Sequence, residues 1–246
     1  RFALARTVDI SGYPVYQVRP LDLGIDERPK NLIFASTGAK PEIVLTDALH
    51  NDLKVVRHGE YCLFYDRQVP AEGLLWRDLV AWWAESNNLD PEHTDTARGL
   101  YRRLMASLKD SAPERALFKA YYKLPPGAVR HHARLPALLP QVYVHFDPQT
   151  ARQLYGEKRL PRQRMDFLLL LARGCRVVIE VDGVQHYSVD DRPNTRLYAE
   201  MVEADRQLRL SGYEVYRFGG LELPEGDSIG RAEAFFEELF RKHQVL

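Results

Sequence analysis

Between Gln163 and Tyr187 the chain reads QRMDFLLLLARGCRVVIEVDGVQHY. This stretch constrains the fold more than any other. Two apolar runs, Met165–Leu171 and Arg176–Asp182, flank Ala172-Arg173-Gly174. Each has the length of a strand and the Val, Ile, Leu and Phe density of strands covered on both faces. Into them the sequence sets Asp166, Glu180 and Asp182. Side chains alternate along a strand, so Glu180 and Asp182 share one face and Ile179 and Val181 the other. A hairpin through Arg173-Gly174 brings Asp166 beside Glu180. Carboxylates are rarely buried without a partner. Three of them converging at the end of a core hairpin call for a cation, and oxygen ligands suit Mg²⁺ or Mn²⁺.

The rest of the chain sets the frame. At 246 residues it can form one large domain or two modest ones. Lys+Arg and Asp+Glu are equal at 34 each, so any nucleic-acid surface must come from local charge. Cys62 and Cys175 are the only cysteines, and neither has a neighbour in sequence at metal-ligand spacing, which suits a reduced, cytoplasmic protein. No apolar run approaches the ~20 residues of a membrane span, so no membrane is expected as a partner. The first residue is Arg1, which leaves room for an additional domain or partner upstream.

Before residue 110 the pattern is short strands, then helices. Strands are expected over 13–18, 32–36 and 42–45. A hairpin is expected from 53–57 and 60–65, turning at His58-Gly59. Helical spacing places Trp76, Leu79, Val80 and Trp83 on one face of a helix over 75–86, and Ala97, Leu100 or Tyr101, Leu104 and Leu108 on a helix over 94–109. A domain boundary is set near 110, giving residues 1–110 as a small α/β accessory domain and 111–246 as a second unit. Ser111-Ala112-Pro113-Glu114 opens a helix running to about 123. Then come a strand over 141–146, a short helix after Asp147-Pro148, the central hairpin, a helix over 195–211 ended by Gly212, a strand over 213–218 and a final helix over 228–242. The order α-β-β-β-α-β-α describes a mixed α/β sandwich.

Taken together, Asp166, Glu180-Val181-Asp182-Gly183, Gln185-His186, the helix with Asp205 and Arg206, and the strand with Gly212-Tyr213, Val215 and Arg217-Phe218 resemble the PD-(D/E)XK nuclease superfamily. The similarity is greatest to the branch near the very-short-patch repair endonucleases, whose second strand reads E-x-D-G-x-Q-H, and it covers residues 111–246. It implies a restriction-endonuclease-like mixed sheet flanked by helices, and Mg²⁺- or Mn²⁺-dependent phosphodiester hydrolysis. In that family's terms Asp166 and Glu180 ligate the metal with the Val181 carbonyl, and Glu114 stands at the edge of the site. The family's usual lysine, two residues after the acidic one, is Asp182 here. Orienting the water then falls to Asp182, Gln185 or His186, with or without a second metal.

A polyanionic substrate needs a basic approach. Arg152, Lys158, Arg159, Arg162 and Arg164 crowd the chain before Asp166, with Glu157 opposing them, and Arg130-His131-His132-Ala133-Arg134 adds a second cluster. DNA is favoured over RNA because the superfamily mostly cuts DNA, and a homodimer is expected where both strands are cut. The N-terminal part, at Lys30–Ser36 and Pro41–Leu45, is similar to accessory domains of bacterial abortive-infection effectors, which implies a setting in anti-phage defence. The competing expectation, favoured by the missing lysine, is a non-catalytic nucleic-acid-binding or regulatory module on the same fold.

Overall fold

The structure is a computed structural model and describes residues 2–7, 15–20, 32–39, 41–47, 52–108, 111–124, 134–143, 164–183, 188–189, 192–223 and 229–245. Its centre is a six-stranded mixed sheet. The strands involved are β3 (Leu32–Phe34), β6 (Leu63–Tyr65), β7 (Leu139–Tyr143), β8 (Arg164–Leu170), β9 (Arg176–Asp182) and β12 (Tyr213–Gly219), in the spatial order β12-β9-β8-β7-β3-β6. The expected hairpin is there: β8 and β9 are antiparallel, with Phe167 opposite Ile179 and Leu168 opposite Val178. Its turn is tight because Arg173 (φ 59°) and Gly174 (φ 67°) both adopt left-handed backbone. β12 runs parallel to β9 and is reached by a crossover through helix α4 (Thr195–Leu210), as parallel neighbours require. Gly212 (φ 83°) ends that helix as expected.

Helices cover both faces. α3 (Ala112–Tyr122) and α5 (Ile229–Lys242) lie on one side: Phe118 stacks on Phe167, Phe235 meets Tyr216 and Phe218 edge-on, and Tyr121 meets Phe236 at 4.5 Å. α4 lies on the other side, with Ala204 and Leu208 buried. Fully burying side chains of this size contributes about 1.5–3 kcal/mol each.

Helices α1 (Trp76–Ser86) and α2 (Thr94–Ala106) pack into the same apolar core, through Phe34 against Trp82 and Tyr101 against Phe118. On α1 the buried tryptophan is Trp82, whose indole N–H donates to Asp66 at 3.1 Å, while Trp83 is half-buried. The strands β3 and β6, both before residue 110, belong to the sheet that β7, β8, β9 and β12 complete. These elements from before and after the expected boundary share one apolar core.

One expectation about the first part needs correction. Residues 53–57 and 60–65 do not pair. β5 (Asp52–Arg57) pairs with β4 (Glu42–Asp47), whereas Leu63–Tyr65 joins β3 in the main sheet. A type I′ turn needs positive φ at both central residues. Only His58 has it (φ 61°), and Gly59–Tyr61 then coils into a short 3-10 turn that carries the chain away. The β1 (Phe2–Thr7) and β2 (Val15–Pro20) hairpin and the small β10 (Ser188–Val189) and β11 (Arg192–Pro193) pair are also present. The helix expected after Asp147-Pro148 lies outside the described residues.

Candidate functional site

The register of the sheet sets its polar residues at one level. One step past the Phe167–Ile179 pair, Asp166 stands opposite Glu180. In the parallel ladder Arg217 of β12 is the partner of Glu180, and Gly219 of Asp182. On the other side of β8, Pro140 and Val142 pair with Phe167 and Met165, so Gln141 comes level with Asp166. The sheet thus carries Gln141, Asp166, Glu180 and Arg217 across four neighbouring strands, with Asp182 two residues beyond. All three carboxylates are buried: Asp166 is 8%, Glu180 0% and Asp182 9% exposed.

Each is held. Asp166 Oδ2 accepts the Val181 N–H at 2.9 Å, a bond inside the protein. In an extended strand a residue's N–H and C=O face the same neighbour, so the Val181 carbonyl also turns toward the Asp166 side. Asp182 receives Arg217 Nη1 on both oxygens, at 2.8 and 2.9 Å. Arg217 Nε reaches Asp205 Oδ1 of α4 at 3.2 Å, and Asp205 Oδ2 in turn holds Arg209 Nε at 2.7 Å. Burial acts to lower the Arg217 pKa, but the hydrogen bond and charge of Asp182, with Glu180 and Asp205, outweigh it and hold the guanidinium above its usual value.

Glu114 arrives from a different element. Ser111 caps α3, its hydroxyl accepting the Glu114 N–H at 3.3 Å, and Pro113 stands in the first turn. The carboxylate accepts from Gln141 Nε2 at 2.5 Å. Gln141 is 3% exposed and has left-handed backbone (φ 53°) in the middle of β7. Such a conformation costs a non-glycine residue about 1 kcal/mol or more and persists only where its surroundings over-determine it. Burial, and next the charge of Asp166, push the Glu114 carboxyl up to about 7, against the pull of Ser111, Arg164 and Gln141. Glu114, Gln141 and Arg164 line a polar cleft of about 280 Å³ together with Ser36, Thr37 and Ser111. The cleft therefore joins the end of β3 to the start of α3 and to β7 and β8.

Of the residues singled out in the sequence, Asp166, Glu180, Val181 and Asp182 lie at the same end of the β8–β9 hairpin, and Glu114 stands close enough to feel the Asp166 charge, although among the described residues no three of these carboxylates offer ligand atoms within 4.8 Å of one another. Arg164 stands at the exposed start of β8. Arg152, Lys158, Arg159, Arg162, Gln185 and His186 lie outside the described residues. Gln141 and the Arg217–Asp205 pair went unassigned in the sequence. Their signal was a polar side chain inside an apolar strand (Pro-Gln-Val-Tyr and Val-Tyr-Arg-Phe), the same signal that marked the carboxylates.

A second cluster lies at the far end of the sheet. Sequence spacing left Cys175 without neighbours, but the fold brings it 3.6 Å from His243 Nδ1, while His243 Nε2 stands 3.2 Å from Glu214 Oε2. The imidazole thus bridges thiol and carboxylate with opposite nitrogens, as a hydrogen-bond relay does, and Lys242 Nζ occupies the same carboxylate oxygen at 2.8 Å. Burial, and then Glu214, push the Cys175 thiol up to about 11, so it is neutral at physiological pH. The cluster ties the end of α5 to the starts of β9 and β12.

Among the described residues no helix is long and apolar enough to cross a membrane. Comparison with protein-family models, with curated proteins and with solved structures finds no match.

Proposed function

We propose that the chain is a divalent-metal-dependent nuclease of restriction-endonuclease-like fold, hydrolysing phosphodiester bonds at the Asp166–Glu180 level, with DNA as the favoured substrate. The observation that carries this reading is the pair of buried carboxylates, Asp166 and Glu180, set at one level of adjacent strands, with the Val181 backbone beside them. The donor set fits a hard cation. Three buried carboxylates facing one guanidinium leave two negative charges, and the Asp205 and Arg209 charges cancel each other. Asp166, Glu180 and the Val181 carbonyl would hold Mg²⁺ or Mn²⁺, all oxygen donors. A bound divalent ion supplies Lewis acidity toward the phosphate and a more acidic water.

This chain's own residues do the rest. The Val181 N–H fixes the Asp166 carboxylate, and Arg217 fixes Asp182. Glu114, with a carboxyl that titrates near neutrality and Gln141 orienting it, is suited to accept a proton at the site. Arg164, an exposed residue lining the cleft, is suited to contact a phosphate of the strand. Membership of an anti-phage defence system remains part of this proposal, resting on sequence resemblance alone.

The test is cleavage of supercoiled plasmid, linear DNA and single-stranded RNA with Mg²⁺, Mn²⁺ or EDTA, comparing wild type with Asp166→Ala and Glu180→Ala. Metal-dependent cutting abolished by both substitutions is the expected result. Cutting that survives both would sink this assignment. One observation favours the alternative of a non-catalytic nucleic-acid-binding module: Asp182, standing where the family has its lysine, is committed to an ion pair. Binding without cleavage under every metal condition would select that alternative.

A further inference from the structure

Arg217 is set where a cation is most needed. The parallel register places it beside Glu180. Asp182 grips Nη1 with both oxygens and Asp205 takes Nε from α4, so the guanidinium is fixed from two elements. Its side chain is 20% exposed, and the buried Nη2 has no hydrogen-bond acceptor among the described residues. A guanidinium stays charged at every accessible pH and cannot give up its proton. It therefore cannot replace a lysine as a base, but it supplies permanent positive charge. For Asp182 to ligate a metal, both of its oxygens would have to be pulled from Arg217.

We propose that Arg217 is the site's built-in second cation: it stands beside Glu180 but is hydrogen-bonded to Asp182, so the centre takes a single divalent ion on Asp166 and Glu180, and Asp182 anchors the guanidinium without being a ligand. This rests on the nuclease reading above and sharpens it. Asp182 loses the role of water-orienting residue that its place in the sequence suggested, and a second metal becomes superfluous. Arg217 is a positioning residue in this scheme, acting through the carboxylates beside it.

The test is Mn²⁺ binding to the full chain, with stoichiometry and affinity from titration calorimetry and free Mn²⁺ counted by its electron spin resonance. The set is wild type, Arg217→Met, Arg217→Lys, Asp182→Asn and Asp166→Asn, each checked for folding by near-UV circular dichroism. Wild type should bind one ion. Arg217→Met should bind a second ion, or the first at least about tenfold tighter, because Asp182 is released. Arg217→Lys should restore the wild-type behaviour. Asp182→Asn should leave affinity within about threefold of wild type, while Asp166→Asn weakens it by about tenfold or more.

A purely structural role for Arg217 would change melting temperature without changing stoichiometry or affinity, and that result overturns the proposal. So does a wild type that binds two ions, or an Asp182→Asn loss equal to that of Asp166→Asn. If Arg217→Met does not fold, the Asp182→Asn titration decides alone. A wild type that binds no Mn²⁺ at all removes the metal centre itself, and with it both this proposal and the nuclease reading. A metal-dependent nuclease with two bound ions removes only this one.

Discussion

Replacing Glu114 by Gln should stabilise this protein, and more so as pH rises. The Glu114 carboxyl is pushed up from the ordinary 4.5 to about 7, by burial first and then by Asp166. Because the folded value is the higher one, the folded chain keeps a proton that the unfolded chain surrenders between pH 4.5 and 7. Glu114's favourable contribution is thus complete below pH 4.5 and lost as pH climbs through 7. A rise of this size corresponds to about 1 kcal/mol of lost stability at pH 5 and about 3 kcal/mol at pH 8. Glutamine cannot ionise, and its amide oxygen can still accept from Gln141 Nε2. Urea unfolding in EDTA should therefore show Glu114→Gln more stable than wild type by about 1 kcal/mol at pH 5 and up to about 3 kcal/mol at pH 8.

In an Asp166→Asn background the gain at pH 8 should shrink without vanishing, since the second cause is removed and burial remains. Under the proposed function the same Glu114→Gln chain should cut nucleic acid poorly, so stability and activity would move in opposite directions, as they do where a strained site serves chemistry. A gain that is the same at pH 5 and pH 8, or a loss that grows at pH 8, would refute the account of a carboxyl held against its ionised form.

Other perturbations test the frame around the site. Asp166→Ala leaves the buried Val181 N–H without its acceptor and should cost about 1–3 kcal/mol in urea unfolding, whereas Asp166→Asn, which keeps an acceptor oxygen, should cost less. Gly73→Ala should destabilise by more than about 2 kcal/mol by the same measurement: Gly73 has φ 91°, and an added Cβ would lie 2.4 Å from the Leu170 carbonyl oxygen. Cys175, pushed up to about 11, should react slowly with iodoacetamide at pH 7.5 and accelerate steeply above pH 10, followed by mass spectrometry of its peptide.

What could be read without coordinates follows from how local each determinant is. The β8–β9 hairpin was legible because two runs of the right length share a short turn, and period-two alternation then assigns Glu180 and Asp182 to one face. α3 was legible from the Ser111-Ala112-Pro113-Glu114 start and α4 from Gly212 at its end. Pairings between distant segments were not. Nothing local tells Leu63–Tyr65 to leave the 52–57 strand and add to Leu32–Phe34, because that choice is made by the core it buries.

The site divides along the same line. Asp166 and Glu180 lie 14 positions apart across one turn, and hairpin geometry brings them together. Gln141 meets Glu114, and Arg217 meets Asp182, only through the order of strands in the sheet, which a single sequence does not display. The function of Asp182 turns on exactly this kind of contact. On its own strand it is a carboxylate two residues from Glu180, the proposed metal ligand, and so a candidate for the metal. Across the sheet it is the counter-ion of an arginine 35 residues later, and the electrostatics of the centre follow from that partner more than from the motif that contains it.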